Sequence, residues 1–270
     1  VFPVPPAAQF ADDLSVYEWV TAKLLPLKPP ESGHRVMVNP CQPVVILGGF
    51  LITDEAYQPL ADWLGRERGI DASVVHASRG DWLLTSWAQG WRRLLQRTDA
   101  LVEQVLESSG SDQVTLIGHS SGGVMLRLYL AEKGLTGASL NGQRHCNRLI
   151  TLGSPHQAKR ATPLRAMVDQ ILPGCACYGV DYISVAGQLD LDGATATGFA
   201  RRSARRSYQQ IAGEGEVSGD GLVPVDSALL KGARAVELHE TAHGGLFGST
   251  WYGSVERIPQ WWNQVVAAGA

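Results

Sequence analysis

Residues 114–123 read V-T-L-I-G-H-S-S-G-G. The short β-branched run over Gln113–Ile117 predicts a strand, and the apolar spacing over Ser120–Glu132 predicts a helix. G-x-S-x-G, at Gly118, His119, Ser120, Ser121 and Gly122, therefore falls at a strand–turn–helix junction. A bare G-x-S-x-G arises often by chance, but this junction is the setting in which the motif has a physical purpose. The sharp turn lifts the Ser hydroxyl out of the sheet, and both glycines permit close backbone approach. The helix that follows aims its N-terminal dipole at developing negative charge, and Gly123 lets it pack tightly. Ser120 is thereby a candidate nucleophile, while His119 reads as a packing or hydrogen-bonding residue.

Outward from this segment the chain alternates. Strands are expected at Val44–Leu47, Ala72–His76, Arg148–Leu152, Tyr182–Ala186 and Ala233–Leu238. Helices are expected at 55–68, Trp91–Leu106, Pro163–Leu172 and Val255–Val266. Short, continuously apolar strands separated by helices imply an α/β fold, with a mainly parallel sheet covered by helices on both faces. In such sheets ligands bind outside the strands' carboxyl ends, where the Gly-rich breaks fall. At 270 residues the chain reads as a single domain. Residues 1–43 form a Pro-rich arm and a helix carrying Leu14, Val16, Tyr17, Val20, Leu24 and Leu25, halted by Pro26. Residues 156–178 and 187–219 break the rhythm as insertions near the active-site edge. The first carries Leu164, Met167, Val168, Ile171 and Leu172. It reads either as a small cap over an apolar cleft or as a helix packed normally on the sheet.

A Ser hydroxyl needs a His base and a carboxylate that orients the His. Where a G-x-S-x-G turn carries the nucleophile, the chain order is Ser, then carboxylate, then His. G-D-G-L-V-P at 219–224 has two glycines that let a turn present Asp220, and one strand later His243 lies in L-H-E-T-A-H-G-G-L-F. Asp190, Asp192 and Asp226 compete with Asp220, and His239 with His243. Asp226 also fits as the start of a helical turn after Pro224. His156, just after a strand, is a candidate for lining the pocket, and His145 precedes a strand at the opposite edge. Oxyanion donors are expected from the amide after the nucleophile, Ser121, and from the loop after the first strand. There Gly48-Gly49 turn the chain and Phe50 supplies the amide.

Together, G-H-S-S-G-G, G-D-G-L-V-P and L-H-E-T-A-H-G-G-L-F resemble the lipases of the α/β-hydrolase superfamily. They are especially similar to small bacterial triacylglycerol lipases and to lipase-like hydrolases of plants and cyanobacteria. T-L-G-S-P-H at 151–156 resembles the strand end of such lipases. The resemblance spans roughly residues 44–250. It implies the α/β-hydrolase fold, with Ser120 as nucleophile, Asp220 and His243 completing the triad, and Phe50 following the oxyanion glycines. The implied activity is cleavage of apolar acyl esters without metal or organic cofactor. Thioesterases, acyltransferases and pigment-ester hydrolases use the same residues, and a non-catalytic binding protein on this fold is the alternative. Gly48 stands where many lipases carry His.

Composition suggests no partner of its own; a small apolar ester is what the resemblance implies. Hydrophobic residues make up 44% and charged residues 18%, and the formal net charge is −3, which gives no general attraction to nucleic acid. No apolar run reaches the roughly 18 residues of a membrane span. V-F-P-V-P-P at the start lacks the basic and apolar regions of a signal peptide. Cys41, Cys146, Cys175 and Cys177 have neither disulfide-framework nor metal-ligand spacing, and read as free thiols of a reducing compartment. A G-x-G-x-x-G after the first strand is missing, which excludes a dinucleotide-binding reading. Arg201, Arg202, Arg205 and Arg206 form a basic stripe on one helix face, solvated or in contact with anionic lipid. Trp82, Trp87 and Trp91 are either core or the wall of an acyl pocket.

Overall fold

The computed structural model describes residues 36–131, 140, 142–159 and 168–267. The helix expected over Leu14–Leu25, and Leu164 and Met167, lie outside the described residues. Six strands form one parallel sheet in the order β2-β1-β3-β4-β5-β6: β1 Val44–Leu47, β2 Ala72–Val74, β3 Val114–His119, β4 Cys146–Leu152, β5 Asp181–Gln188 and β6 Arg234–His239. Around it lie α1 (Gln58–Arg68), α2 (Arg79–Leu84), α3 (Ala88–Ser109), α4 (Ser121–Leu130), α5 (Gly198–Ile211), the short α6 (Val225–Ala228) and α7 (Ile258–Ala267).

Alternate side chains of each strand feed two separate cores. Val45, Leu47, Leu116 and Leu149 pack with Leu94, Val102, Met125 and Leu128 of α3 and α4. Val44, Ile46, Ile117 and Ile150 pack with Leu60 and Leu64 of α1 and Trp261 and Val265 of α7. All four β1 side chains are fully buried, so each contributes about 1.5–3 kcal/mol of transfer free energy. Burial on both faces explains why these strands read as unbroken apolar runs. The edge strands are exceptions: β2 is only half-buried, and in β6 Val236 and Leu238 are buried while Ala235, Glu237 and His239 face outward.

The helix α2, absent from the sequence reading, has a local cause. Ser78 accepts from the Asp81 N–H and the Asp81 carboxylate accepts from the Ser78 N–H, a capping box in S-R-G-D. Arg97 of α3 then clamps Asp81 at 2.8 Å. Burial would raise the Asp81 carboxyl, but the hydrogen bonds from Ser78 and Arg97 outweigh it and hold the group well below the usual carboxylate range.

In the 156–178 segment, Val168 and Leu172 are buried in the α3/α4-side core, and Arg127 pairs with Asp169 at 3.0 Å. These two apolar residues are core, not cleft lining. The 187–219 segment is built around α5, whose Ala200, Ala204 and Tyr208 face inward. Its Arg201, Arg202, Arg205 and Arg206 are all exposed. Trp82 is fully buried and Trp91 nearly so, whereas Trp87 is exposed. No described helix is long and apolar enough to cross a membrane.

With β1 between β2 and β3, the chain winds one way from β1 and the other way from β3. The crevice outside their carboxyl ends is the place such a sheet offers a ligand. Gly48-Gly49 leave β1 there, and Ser120 leaves β3.

Candidate active site

Ser120 is the residue between β3 and α4, and its backbone sits at φ +52°, ψ −124°. A non-glycine residue held there costs about 1–3 kcal/mol, so the surrounding contacts must impose it. Its N–H donates to the Leu152 carbonyl at 2.9 Å, and its carbonyl accepts from the Gly123 N–H at 3.2 Å. The motif glycines make the turn possible. A Cβ on Gly118 would lie 2.3 Å from the Gly123 Cα, and one on Gly122 would lie 2.3 Å from the Gly48 carbonyl oxygen.

From Ser120 a hydrogen-bonded line runs inward. The hydroxyl lies 2.9 Å from His243 Nε2, and His243 Nδ1 lies 2.8 Å from Asp220 Oδ2. Asp220 and His243 are buried, and Ser120 is 7% exposed. A carboxylate only accepts, so Nδ1 carries the proton and Nε2 offers its lone pair to the Ser120 hydroxyl. The His243 N–H also donates to the Asp220 carbonyl at 2.7 Å, which ties the two loops together.

Asp220 is held by four donors. Oδ1 accepts from the Leu222 and Val223 N–H groups, and Oδ2 from His243 and from the Tyr252 hydroxyl at 2.9 Å. Burial, then the Asp220 charge, pushes the Tyr252 phenol far up, so it stays protonated and donates. Tyr208 of α5 accepts the Gly221 N–H at 2.7 Å, which gives the 187–219 segment a role in holding the carboxylate turn. Neither tyrosine was singled out from the sequence; a phenol placed by tertiary contacts leaves no local signature.

The other candidates fall elsewhere. Asp190, Asp192, Asp226 and His239 are exposed. His156 is wholly buried and bonds Thr151 Oγ1 at 3.0 Å. Phe50 is in a tight turn closed by the Ile52 N–H on the Gly49 carbonyl, with Leu51 at φ +62°. The Gly49 N–H is engaged by Tyr57 at 2.8 Å, so the amides that follow it are the ones left to face a reactant. Ser121 is the first residue of α4, where a helix N–H has no intrahelical acceptor. Among the described residues, no group of His, Cys, Asp and Glu forms a metal site.

The fold has counterparts among known proteins. A family profile described as "alpha/beta hydrolase fold" matches residues 96–174. The product of the lin2722 gene of Listeria innocua superposes with a TM-score of 0.50 at 16% identity, covering 83% of this chain and 93% of that one. The chain has the α/β-hydrolase fold. An esterase from Exiguobacterium antarcticum is also similar, with a TM-score of 0.45 at 13% identity over 84% of this chain and 91% of that one. Among curated proteins there is no significant match. The likeness to the Listeria structure concerns the fold alone, and substrate chemistry is argued from the residues.

Proposed function

We propose that this α/β-hydrolase-fold protein is a serine hydrolase that cleaves carboxylic esters with apolar acyl groups. The observation that carries the reading is the unbroken line from Ser120 Oγ through His243 to Asp220, with Ser120 in a strained turn. Such strain persists only where other contacts impose it, and it clusters at sites of chemistry.

In this reading Ser120 Oγ adds to the ester carbonyl carbon while its proton passes to His243 Nε2. The carbonyl oxygen takes up the negative charge between the Phe50 and Ser121 amides, and Asp220 holds the imidazolium. Collapse of the adduct breaks the ester C–O bond, and the alcohol leaves with the proton from His243. Water, activated by the same nitrogen, then releases the acid and restores Ser120. The cycle uses no metal or organic cofactor. An apolar acyl group is favoured by two partly or largely exposed side chains on the loops flanking the line, Phe50 (41%) and Leu246 (62%).

The deciding experiment is fluorophosphonate labelling of the purified protein with peptide mapping, beside hydrolysis of p-nitrophenyl esters of graded chain length. The label is expected on Ser120 and is expected to vanish, with hydrolysis, in Ser120→Ala. Retained hydrolysis in that variant would sink the proposal.

A further inference from the structure

The residue before the nucleophile, His119, is wholly buried and takes no part in the proton path, yet both its ring nitrogens are engaged. Nε2 lies 2.8 Å from the His243 carbonyl oxygen, and Nδ1 lies 2.7 Å from the Tyr57 hydroxyl. That hydroxyl in turn accepts the Gly49 N–H at 2.8 Å. We propose that Tyr57 and His119 form a positioning strut that sets the oxyanion loop after β1 in register with the backbone of the catalytic base. The inference rests on the ester-hydrolase reading above and assigns two residues that reading does not use.

The direction of every bond in the strut follows from which atoms can donate. A carbonyl only accepts, so His119 Nε2 must carry a proton. In the neutral ring Nδ1 is then a bare lone pair, which accepts the Tyr57 O–H. The phenol oxygen, having spent its proton, accepts the Gly49 N–H. The strut thus runs one way, from the Gly49 amide to the His243 carbonyl, and its dipoles reinforce one another. A doubly protonated His119 would leave the Tyr57 proton without a place. It would also set a second cation beside His243, whose ring centroid is 4.8 Å away. The rings packed on His119 are Tyr57, His243, Trp251 and Tyr252, none of which supplies a negative charge to hold such a cation. Burial first, and His243 next, push the His119 pKa well below its ordinary value, and burial raises the Tyr57 phenol. Burial thus favours the neutral form of both groups.

The two ends of the strut are what acyl transfer must keep in register. At one end, engaging the Gly49 N–H fixes the start of the turn that carries Phe50. At the other, the His243 carbonyl belongs to the residue whose Nε2 faces Ser120. A reactant carbonyl must meet Ser120 Oγ and the oxyanion amides at once, and displacement by a fraction of an ångström weakens the transition state more than the ground state.

The test is a series of variants: Tyr57→Phe, His119→Leu and His119→Gln. Glutamine can accept from Tyr57 through its carbonyl oxygen and donate to His243 through its amide, so it retains both ends. Tyr57→Phe and His119→Leu are expected to lower kcat by about 10- to 100-fold, less than outright loss of an oxyanion donor, with KM within about twofold. Both should weaken a trifluoromethyl ketone, which mimics the tetrahedral adduct, by the same factor as kcat/KM. His119→Gln is expected to recover most of the loss. A glutamine variant as impaired as the leucine variant, or a rise in KM at constant kcat, would overturn the strut. If His119→Leu does not fold, Tyr57→Phe, which removes one oxygen, decides alone. Failure of the underlying reading looks different: the parent itself would then neither hydrolyse esters nor take a fluorophosphonate at Ser120.

Discussion

Removing the Tyr252 hydroxyl, by Tyr252→Phe, should separate stability from activity at this site. The hydroxyl is buried, donates to Asp220 Oδ2 at 2.9 Å and accepts the Gly187 N–H at 2.7 Å. Phenylalanine keeps the ring, so packing against Ile117, Leu152 and the rest of that core is preserved. What is lost is one hydrogen bond to a charged group, about 1.5–3 kcal/mol, and the acceptor of a buried N–H, about 1–3 kcal/mol. The two losses share one oxygen and are not additive, so a net destabilisation of about 2–4 kcal/mol is expected. For a chain of this size that lowers Tm by about 4–8 °C. Asp220 meanwhile keeps three donors, His243 among them, so kcat for a p-nitrophenyl ester should fall by less than about tenfold. Circular-dichroism melts beside initial rates at 25 °C read both quantities on one preparation. A Tm within about 2 °C of the parent would refute the hydrogen-bond accounting. A kcat loss beyond about 100-fold with unchanged Tm would instead make Tyr252 part of the chemistry.

Asp220→Asn keeps the volume but removes the charge that fixes the His243 tautomer; kcat should fall by about 10⁴, and a loss under about tenfold in stopped assays would exclude Asp220 from that role. Gly122→Ala puts a Cβ 2.3 Å from the Gly48 carbonyl oxygen and 2.4 Å from that of Leu47, so it should yield no active soluble protein; normal expression and activity would contradict the packing. The depressed Asp81 carboxyl contributes stability that is present above the unfolded value near 3.9 and lost as pH falls below it. Asp81→Asn should therefore lower Tm at pH 7, with the gap to the parent closing below about pH 4; a gap independent of pH would count against the clamp. Cys41 is exposed, while burial raises Cys146 and Cys177 and pushes Cys175 up to about 12, so a disulfide reagent at pH 8 should titrate one thiol quickly and the other three slowly.

The buried parallel strands were legible because their chemistry is local: a strand covered on both faces has to be apolar throughout, and Val44–Leu47 is. The turn at Ser120 was legible because G-x-S-x-G falls between an apolar strand and a helical pattern; Gly118 meets Gly123 within the turn, while Gly122 meets the Gly48 carbonyl across the sheet. Ser120, Asp220 and His243, picked out by motif and chain order, lie in one hydrogen-bonded line. The helix α2 was missed although S-R-G-D carries its capping box, because six residues are too few to show a helical period. Leu51, with a positive φ in the turn after Gly49, was missed because leucine gives no hint of that conformation. The surroundings of His156 were not legible, because Arg127, whose guanidinium lies 3.4 Å from its ring, is brought near only by the fold.

Three buried tyrosines around the site answer one problem in one way. A strand that ends at a glycine-rich turn leaves amides beyond the reach of the ladder, and a buried N–H without an acceptor costs about 1–3 kcal/mol. Gly49 follows the end of β1, Gly187 lies in β5 past the last β4 partner pair, Leu152 with Val185, and Gly221 lies in the carboxylate turn; their N–H groups donate to the phenol oxygens of Tyr57, Tyr252 and Tyr208 at 2.8, 2.7 and 2.7 Å. A backbone carbonyl would have satisfied the same amides and ended there. A phenol has a proton to pass on: Tyr57 gives its own to His119, and Tyr252 gives its own to Asp220. Burial raises the pKa of all three, so none ionises at neutral pH and none adds a charge beside Asp220. The requirement to satisfy backbone amides beyond the ladder, and the requirement to orient the polar groups of the site, are thus met by the same oxygens. Replacing Tyr57 or Tyr252 should disturb both at once, whereas the Tyr208 hydroxyl, bonded to Gly221 beside Asp220, should matter chiefly to the stability of the carboxylate turn.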